Sequence, residues 1–542
     1  MLRTTTLVNT FEYNASLSSS MKFIQGQNRQ QTYLFPVSLD DAVEVENEVR
    51  LIDVFVDSLK LDVFGFKSDF IENGRPAYHP ADLLKLFIYG YLNQVRSSRK
   101  LEKECKRNIE VMWLLKNLSP DHNTISNFRR DNPKAIKKVF RETVKIAKYF
   151  NLIGGTLIAG DSTKLRAQNS KKNNFNQKKI NRHLEYIENK LAEYEKVLAE
   201  SDGDDKQEIE NEIKKQNQRK EGYKKLEQQL KESGQSQISI SDPDSRQLIT
   251  RNNITEVAYN AQTTVDDKHY LPIDYKVTNT NDYKAMGGML RRAKTVLRSN
   301  DFTSLYDKGY HTGSEFKIAD ELGIDVMVAI PTVATNAPNP EYNVENFTFD
   351  KIKDCYTCPQ GELMTTNGRW HQAKTYRFKR YTTTACKTCP AKSECSKAIC
   401  GKAIQRSEFQ EYVDRNKNRI EENKQLYRKR QQIVEHPYGT IKRQWGFNYI
   451  ITKKYIERAE ANFGFITTAY NLRRIINIVG IKRLQAYLES IFRFFCLKII
   501  LLKLFLNQIN QLLKRTMINP GILNLTLNSL KSSPIAFGQM GF

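Results

Sequence analysis

Ile158-Ala159-Gly160-Asp161-Ser162-Thr163 is the stretch on which the fold turns. With Thr156 and Leu157 before it, the run reads as a short apolar strand that ends at a carboxylate. A second run of the same kind is Leu305-Tyr306-Asp307-Lys308-Gly309-Tyr310. Gly309 permits a tight turn just after Asp307, and Thr312-Gly313-Ser314-Glu315 fits a capping box that opens the next helix. Strand, acid, turn and helix in that order place a carboxylate at the carboxyl edge of a sheet, where sites in open α/β folds lie. Taken singly, each aspartate is also what a turn or a cap would use.

A third acid stands in Val434-Glu435-His436-Pro437-Tyr438-Gly439-Thr440-Ile441-Lys442, within a basic helical region. A lysine about two turns beyond Glu435 suits the grip of a phosphate. Pro437 disfavours helix at His436, so Glu435 is expected at a kink or a junction between helices. Three hard-oxygen acids in a basic chain point to divalent cations and to chemistry on a phosphate backbone. Two such ions activate a nucleophile and stabilise the leaving oxygen of an in-line displacement.

The surrounding sequence supplies a scaffold. Residues 257–265 and 270–277 read as two strands joined by Asp266-Asp267-Lys268. A helix over 282–299, a strand over 302–306, a helix over 314–322 and a strand over 325–330 follow. That order predicts an α/β mixed sheet. Upstream, 79–150 is helical, with Pro80 opening a helix whose face carries Leu83, Leu84, Phe87, Ile88 and Tyr91. Ser119 to Arg130 reads as a turn leading into a short basic helix. It suits a helix-turn-helix reader of DNA through Arg129 and Arg130, and equally an ordinary bundle with a solvated basic face. Lys171 to Ser233 is polar, with Leu184, Ile187, Leu191, Tyr194 and Leu198 at spacings of three and four, and is broken at Ser201-Asp202-Gly203. It predicts a projecting helical hairpin.

Charge narrows the partner. The 542 residues hold 85 Lys and Arg against 61 Asp and Glu, a formal net charge of +24. Such an excess favours a polyanion, through phosphate contacts that release counterions. Residues 1–20 lack the apolar core of a secretory signal, and Met21 is an alternative start. Phe492 to Leu506 is apolar but shorter than a membrane span and reads as an amphipathic or partner-seeking helix. A cytoplasmic protein without membrane partners is expected.

Of eight cysteines, six are Cys355, Cys358, Cys386, Cys389, Cys395 and Cys400. Clustering of this kind in an intracellular chain points to metal rather than disulfides. The two C-x-x-C knuckles, Cys355 with Cys358 and Cys386 with Cys389, are the candidate ligands of a structural Zn²⁺; reduced thiols in a small insertion are the other reading.

Taken together, Thr124-Ile125-Ser126-Asn127-Phe128-Arg129, Gly160-Asp161-Ser162-Thr163, Tyr259-Asn260-Ala261-Gln262-Thr263, Asp307-Lys308-Gly309-Tyr310 and the segment 434–442 resemble bacterial insertion-sequence transposases of the DDE class, of the IS-eleven-eighty-two-type group. The resemblance spans roughly residues 40–485. It implies an RNase H-like core and a DNA strand cleavage and strand transfer activity at transposon ends. It also implies that Asp161, Asp307 and Glu435 are the catalytic, metal-holding acids for two Mg²⁺ or Mn²⁺ ions. Tyr427, Arg430, Glu435 and Lys442 approximate a Tyr, Arg, Glu, Lys signature of related transposases. Four residues rather than three separate Arg430 from Glu435, so Arg428 and Lys429 compete with Arg430 for its role. Lys442, Arg430 and Arg428 are then expected at DNA phosphates, and a homodimer or larger synaptic complex on double-stranded DNA is expected. The rival functions are a metal-dependent DNA nuclease on the same fold and a non-catalytic DNA-binding protein from a decayed element.

The expected organisation is an N-terminal extension (1–40), a helical, DNA-binding domain (41–150) and a first core part (151–335) holding the helical insertion 172–233. A Cys-rich insertion (336–410), core helices carrying Glu435 (411–485) and a tail (486–542) complete it.

Overall fold

The computed structural model describes residues 38–66, 77–200, 204–250, 254–331 and 337–515. The expectations placed on residues 1–37, on the break at 201–203 and on the tail beyond 515 lie outside the described residues.

Helices dominate the first part of the chain: α1 (Glu48–Asp57), α2 (Pro80–Leu92), α3 (Ser98–Arg107), α4 (His122–Asp131) and α5 (Pro133–Tyr149). Pro80 occupies the first turn of α2, where its missing N–H costs nothing. Leu84, Phe87 and Tyr91 on α2 are buried, as their spacing predicts. The Arg129 expectation fails here. Arg129 is 4% exposed, with Nη1 bonded to the Tyr91 hydroxyl and the Arg96 carbonyl and the guanidinium over the Phe87 ring. A side chain so enclosed cannot reach DNA, because its position on α4 turns it toward α2 and away from solvent. Arg130 faces outward, its side chain 43% exposed and paired with Asp131. Arg129→Ala is expected to lower the unfolding free energy by about 2 kcal/mol through lost packing, and Arg130→Ala to stay within about 0.5 kcal/mol of the parent. Urea denaturation of the two variants checks this; equal effects would contradict the enclosed guanidinium.

The polar segment folds as the predicted antiparallel hairpin, α6 (Gln177–Glu200) against α7 (Asp204–Ser233). Phe175, Ile180 and Leu230 close a small apolar cluster at its base.

The sheet comprises β1 (Leu157–Arg166), β2 (Arg246–Ile249), β3 (Thr255–Asp266), β4 (Pro272–Thr278), β5 (Thr303–Tyr306) and β6 (Asp325–Val328). Across the sheet the order is β4–β3–β1–β5–β6, with β2 continuing the β4 edge of β3. β3 and β4 run antiparallel to their neighbours, whereas β5 and β6 run parallel to β1. That order and those directions are the RNase H-like arrangement. β1 is longer than its sequence suggests: Asp161 lies mid-strand, because β3 keeps pairing with β1 as far as Arg166.

Successive side chains on a strand alternate between faces. On one face Ile158, Tyr259, Tyr275 and Tyr306 join the main core together with α5, α8 (Met286–Leu297) and α12 (Ile456–Val479), the last supplying Phe463, Ile466 and Tyr470. On the other face Leu157, Ala159, Val265, Leu305 and Met327 meet Ile433 and Val434 of α11 (Lys424–Tyr438). α9 (Gly313–Glu321) joins the main core through Phe316 and Ala319, and α10 (Gln410–Glu422) packs at the β6 edge, where Asn416 both donates to and accepts from the Val328 backbone.

Two local expectations are corrected. Thr312 makes no capping bond; its hydroxyl donates to the Tyr283 carbonyl at 2.6 Å, and buried Glu315 accepts from Gly287 N–H at 2.7 Å. Tertiary partners outcompete the capping box. Pro437 does not break α11, which runs through it into a π-helical turn at Gly439–Gln444. Past α12, α13 (Ile481–Arg515) carries the apolar run in one long helix. Among the described residues no helix is long and apolar enough to cross a membrane.

Candidate active site

Parallel pairing matches Leu157 with Thr303, Ile158 with Ser304 and Ala159 with Leu305. Continuing that register by two residues sets Asp161 beside Asp307. Asp161 shares the face of Leu157 and Ala159, and Asp307 that of Leu305, so both carboxylates emerge on the side that α11 covers. Asp307 accepts from Gly309 N–H at 2.9 Å, which fixes the turn after β5.

α11 and the π-helical turn that follows it are fastened to this edge by four side chains. The Tyr427 hydroxyl donates to the Tyr306 carbonyl at 2.8 Å. Arg430 Nη1 lies 3.4 Å from Asp161 Oδ2. The Tyr438 hydroxyl sits 2.7 Å from Thr263 Oγ1 and 3.2 Å from the Asp161 carbonyl oxygen. Lys442 Nζ donates to Thr163 Oγ1 at 3.0 Å. Of the three cations that compete in the sequence, Arg430 is therefore the one that meets the acid, while Arg428 and Lys429 are exposed. Helix rotation decides this. Tyr427, Arg430 and Val434 lie at spacings of three and four on one face, and residues 428 and 429 point elsewhere.

Burial pushes the Asp161 carboxyl up to about 6, with the nearby Asp307 and Asp282 charges adding to it and the Ser162 N–H and Arg430 opposing it. The side chain still keeps 24% exposure, so it is enclosed by protein without being sealed from solvent.

Asp282 is the acid that sequence reasoning missed. It follows β4 in a short turn and accepts from Ser162 Oγ at 2.7 Å, Lys164 Nζ at 2.8 Å and Asn260 Nδ2 at 2.7 Å. The signal was there, an acid soon after a strand, but nothing local distinguishes it from an ordinary turn aspartate. Tyr310 is buried among these acids, and its hydroxyl has no hydrogen-bond partner.

Glu435 stands apart from this pair. It is exposed on α11, where Gln431 Nε2 donates to it at 3.0 Å. Neighbouring His436 turns away, bonding the Tyr470 hydroxyl and stacking on Tyr270. Among the described residues no three His, Cys, Asp or Glu side chains form a group ready to hold a metal. The Asp161 and Asp307 pair nonetheless fits a hard divalent cation. One carboxylate on β1, with raised proton affinity, and another just past the end of β5 stand beside an orphaned tyrosine hydroxyl. Among the described residues, Arg430 is the cation that pairs with Asp161.

The cysteines divide differently from their spacing. Cys358, Cys386, Cys389 and Cys395 line one small cavity, whereas Cys355 is buried within the strand Cys355–Thr357 and does not. The C-x-x-C reading of Cys355 with Cys358 is thus not how the chain groups them: the strand carries Cys355 away before the turn at Cys358–Gly361 brings Cys358 in.

Residues 37–131 match the family described as Transposase domain (DUF772), and residues 357–476, which include Glu435, match the Transposase DDE domain family. Both matches are to transposase domains. No curated protein matches the chain. Among solved structures, that of a Mos1 transposase paired-end complex with left transposon end is similar at 13% identity. The similarity covers 49% of this chain and 64% of that one, less than two thirds of its length, with a TM-score of 0.14. So weak a superposition adds nothing to the strand order described above.

Proposed function

We propose that the protein is a DDE transposase, of the IS-eleven-eighty-two-type group, that cleaves DNA strands at insertion-sequence ends and joins them to target DNA. The observation that carries this reading is the parallel pairing of β1 with β5, which leads on to Asp161 and Asp307, together with the charge interaction between those two acids beneath α11. Two transposase-family matches, one ahead of the sheet and one that includes α11 and Glu435, support it.

Asp161 and Asp307 would hold Mg²⁺ or Mn²⁺, and the ions would supply an activated nucleophile and Lewis-acid stabilisation of the leaving oxygen; Glu435, the third donor that the family resemblance implies, is exposed on α11 apart from the pair and would have to swing in to join them. The chain's own residues prepare that site. The Arg430 guanidinium balances the Asp161 charge, Lys164 balances Asp282, and Tyr427 and Tyr438 hold α11 at fixed height over the strands. Exposed Arg428 and Arg130 are placed to meet phosphates, in keeping with the +24 charge. Lys442, bonded to Thr163, fixes the strand beyond Asp161 and lies within reach of DNA drawn to that edge. Bringing two ends together calls for two or more copies of the chain.

The second reading, a nuclease on the same fold, shares the first step. The deciding experiment offers pre-cut duplex ends, Mg²⁺ and a supercoiled target plasmid to the full chain. Joined products are expected. Cleavage of uncut ends with no joining under any metal would favour the nuclease.

A further inference from the structure

Downstream of the core, between β6 and α10, two small sheets frame a nest of thiols. One is built from the strands Thr348–Asp350, Cys355–Thr357 and Leu363–Met364, the other from β7 (Trp370–Gln372), β8 (Arg377–Tyr381) and β9 (Ile404–Ser407). Phe347, Tyr356, Met364, Tyr381 and Ile404 form the apolar cluster between them, and Cys358 and Cys395 pack against it.

Four thiols from three separate segments face a single cavity of about 30 Å³. Cys358 comes from the turn after Cys355–Thr357, Cys386 and Cys389 from the turn that follows β8, and Cys395 from the short helix Lys392–Cys395. A void of that size holds one water-sized occupant. Gly401 closes against Cys386 at φ +85°; a side-chain carbon there would fall 3.1 Å from Cys386 Sγ, and closer still to its Cβ, so glycine is required for the approach. Lys392 and Lys402 line the same cavity, and Lys402 Nζ is itself anchored on the Tyr342 carbonyl at 3.2 Å.

From this geometry we infer a structural Zn²⁺ site made of Cys358, Cys386, Cys389 and Cys395, in place of the set containing Cys355. The sulfurs are neighbours across the cavity, although no three of them already form a metal-holding group among the described residues. Four soft donors from these segments, with no histidine or carboxylate among them, are the donor set of a closed structural zinc site. Binding deprotonates the thiols and releases their protons to solvent. The resulting site carries two net negative charges, which Lys392 and Lys402 offset. Cys355 takes no part, and exposed Cys400 lies outside the cavity. The metal ties the two small sheets together and so sets the stretch that leads into α10 and α11; it does no chemistry, having no open position.

The test uses the full chain purified under reducing conditions, with zinc measured per chain by elemental analysis and Co²⁺ substitution followed by its thiolate charge-transfer absorption. One zinc per chain is expected in the parent, in Cys355→Ala and in Cys400→Ser. Loss of at least nine-tenths of it is expected in Cys395→Ser and recovery in Cys395→His, which restores a donor and so separates ligation from misfolding. Zinc absent from the parent, or lost in Cys355→Ala and kept in Cys395→Ser, overturns the assignment. Neither readout depends on DNA cleavage, so this inference stands or falls apart from the transposase reading.

Discussion

Asp161→Asn is expected to reduce Mg²⁺-dependent DNA cleavage by roughly a thousandfold, while duplex binding in a mobility-shift assay stays within about twofold of the parent. A Lewis-acidic metal contributes several kcal/mol to a phosphoryl-transfer barrier, and each 1.4 kcal/mol is about tenfold in rate. Asparagine has the same shape and still accepts from Ser162 N–H, as Asp161 Oδ1 does at 2.7 Å. What it removes is the charge that an ion needs. Folding should change little, since burial already disfavours the charged form at this position. Asp307→Asn should behave in the same way, because the register makes it the partner of Asp161. Cleavage at the parent rate in Asp161→Asn would take that residue out of the chemistry.

Gly160→Ala is the second large effect. A Cβ at Gly160 would fall 2.1 Å from Tyr306 Cε1 and 2.8 Å from its Cδ1 and Cζ. Tyr306 is fully buried with its ring against Tyr310, 5.0 Å between centroids, so it has nowhere to retreat. Overpacking of this kind costs about 1–3 kcal/mol. The consequence for function is larger. Gly160 precedes Asp161 and Tyr306 precedes Asp307, so whichever strand yields separates the two acids. A displacement of about 1 Å at a reacting centre costs on the order of a hundredfold in rate. Urea midpoints together with cleavage rates at saturating Mg²⁺ would show both losses. Parent-like stability in the alanine variant would mean that the close approach of β1 and β5 is not as described.

Much of the scaffold can be read directly from the chain. The strands at 257–265 and 270–277 fall within a residue or two of β3 and β4, and the hairpin from Gln177 to Ser233 follows its apolar spacing. These elements are encoded by periodicity and turn residues within a few positions of one another. The errors arise where a distant partner overrides a local signal. The capping box at Thr312 yields to Tyr283 and Gly287, and Pro437 is carried through a helix already packed on the sheet through Ile433 and Val434. Arg129 reads as a basic surface residue until α2 closes over it.

By itself, the sequence determined that there would be an α/β core with Asp307 just past a strand end, a helical region ahead of it, a helical hairpin and a thiol-rich insertion, because each rests on short-range pattern; Asp161, read as a strand end, lies mid-strand. Only the tertiary structure decided which side chains meet. Asp161 lies beside Asp307, Arg430 rather than Arg428 reaches it, Asp282 joins them, Glu435 stays on the exposed side of its helix, and Cys395 rather than Cys355 faces the other thiols. Strand register and helix rotation set those pairings, and both are fixed by packing between segments far apart in the chain.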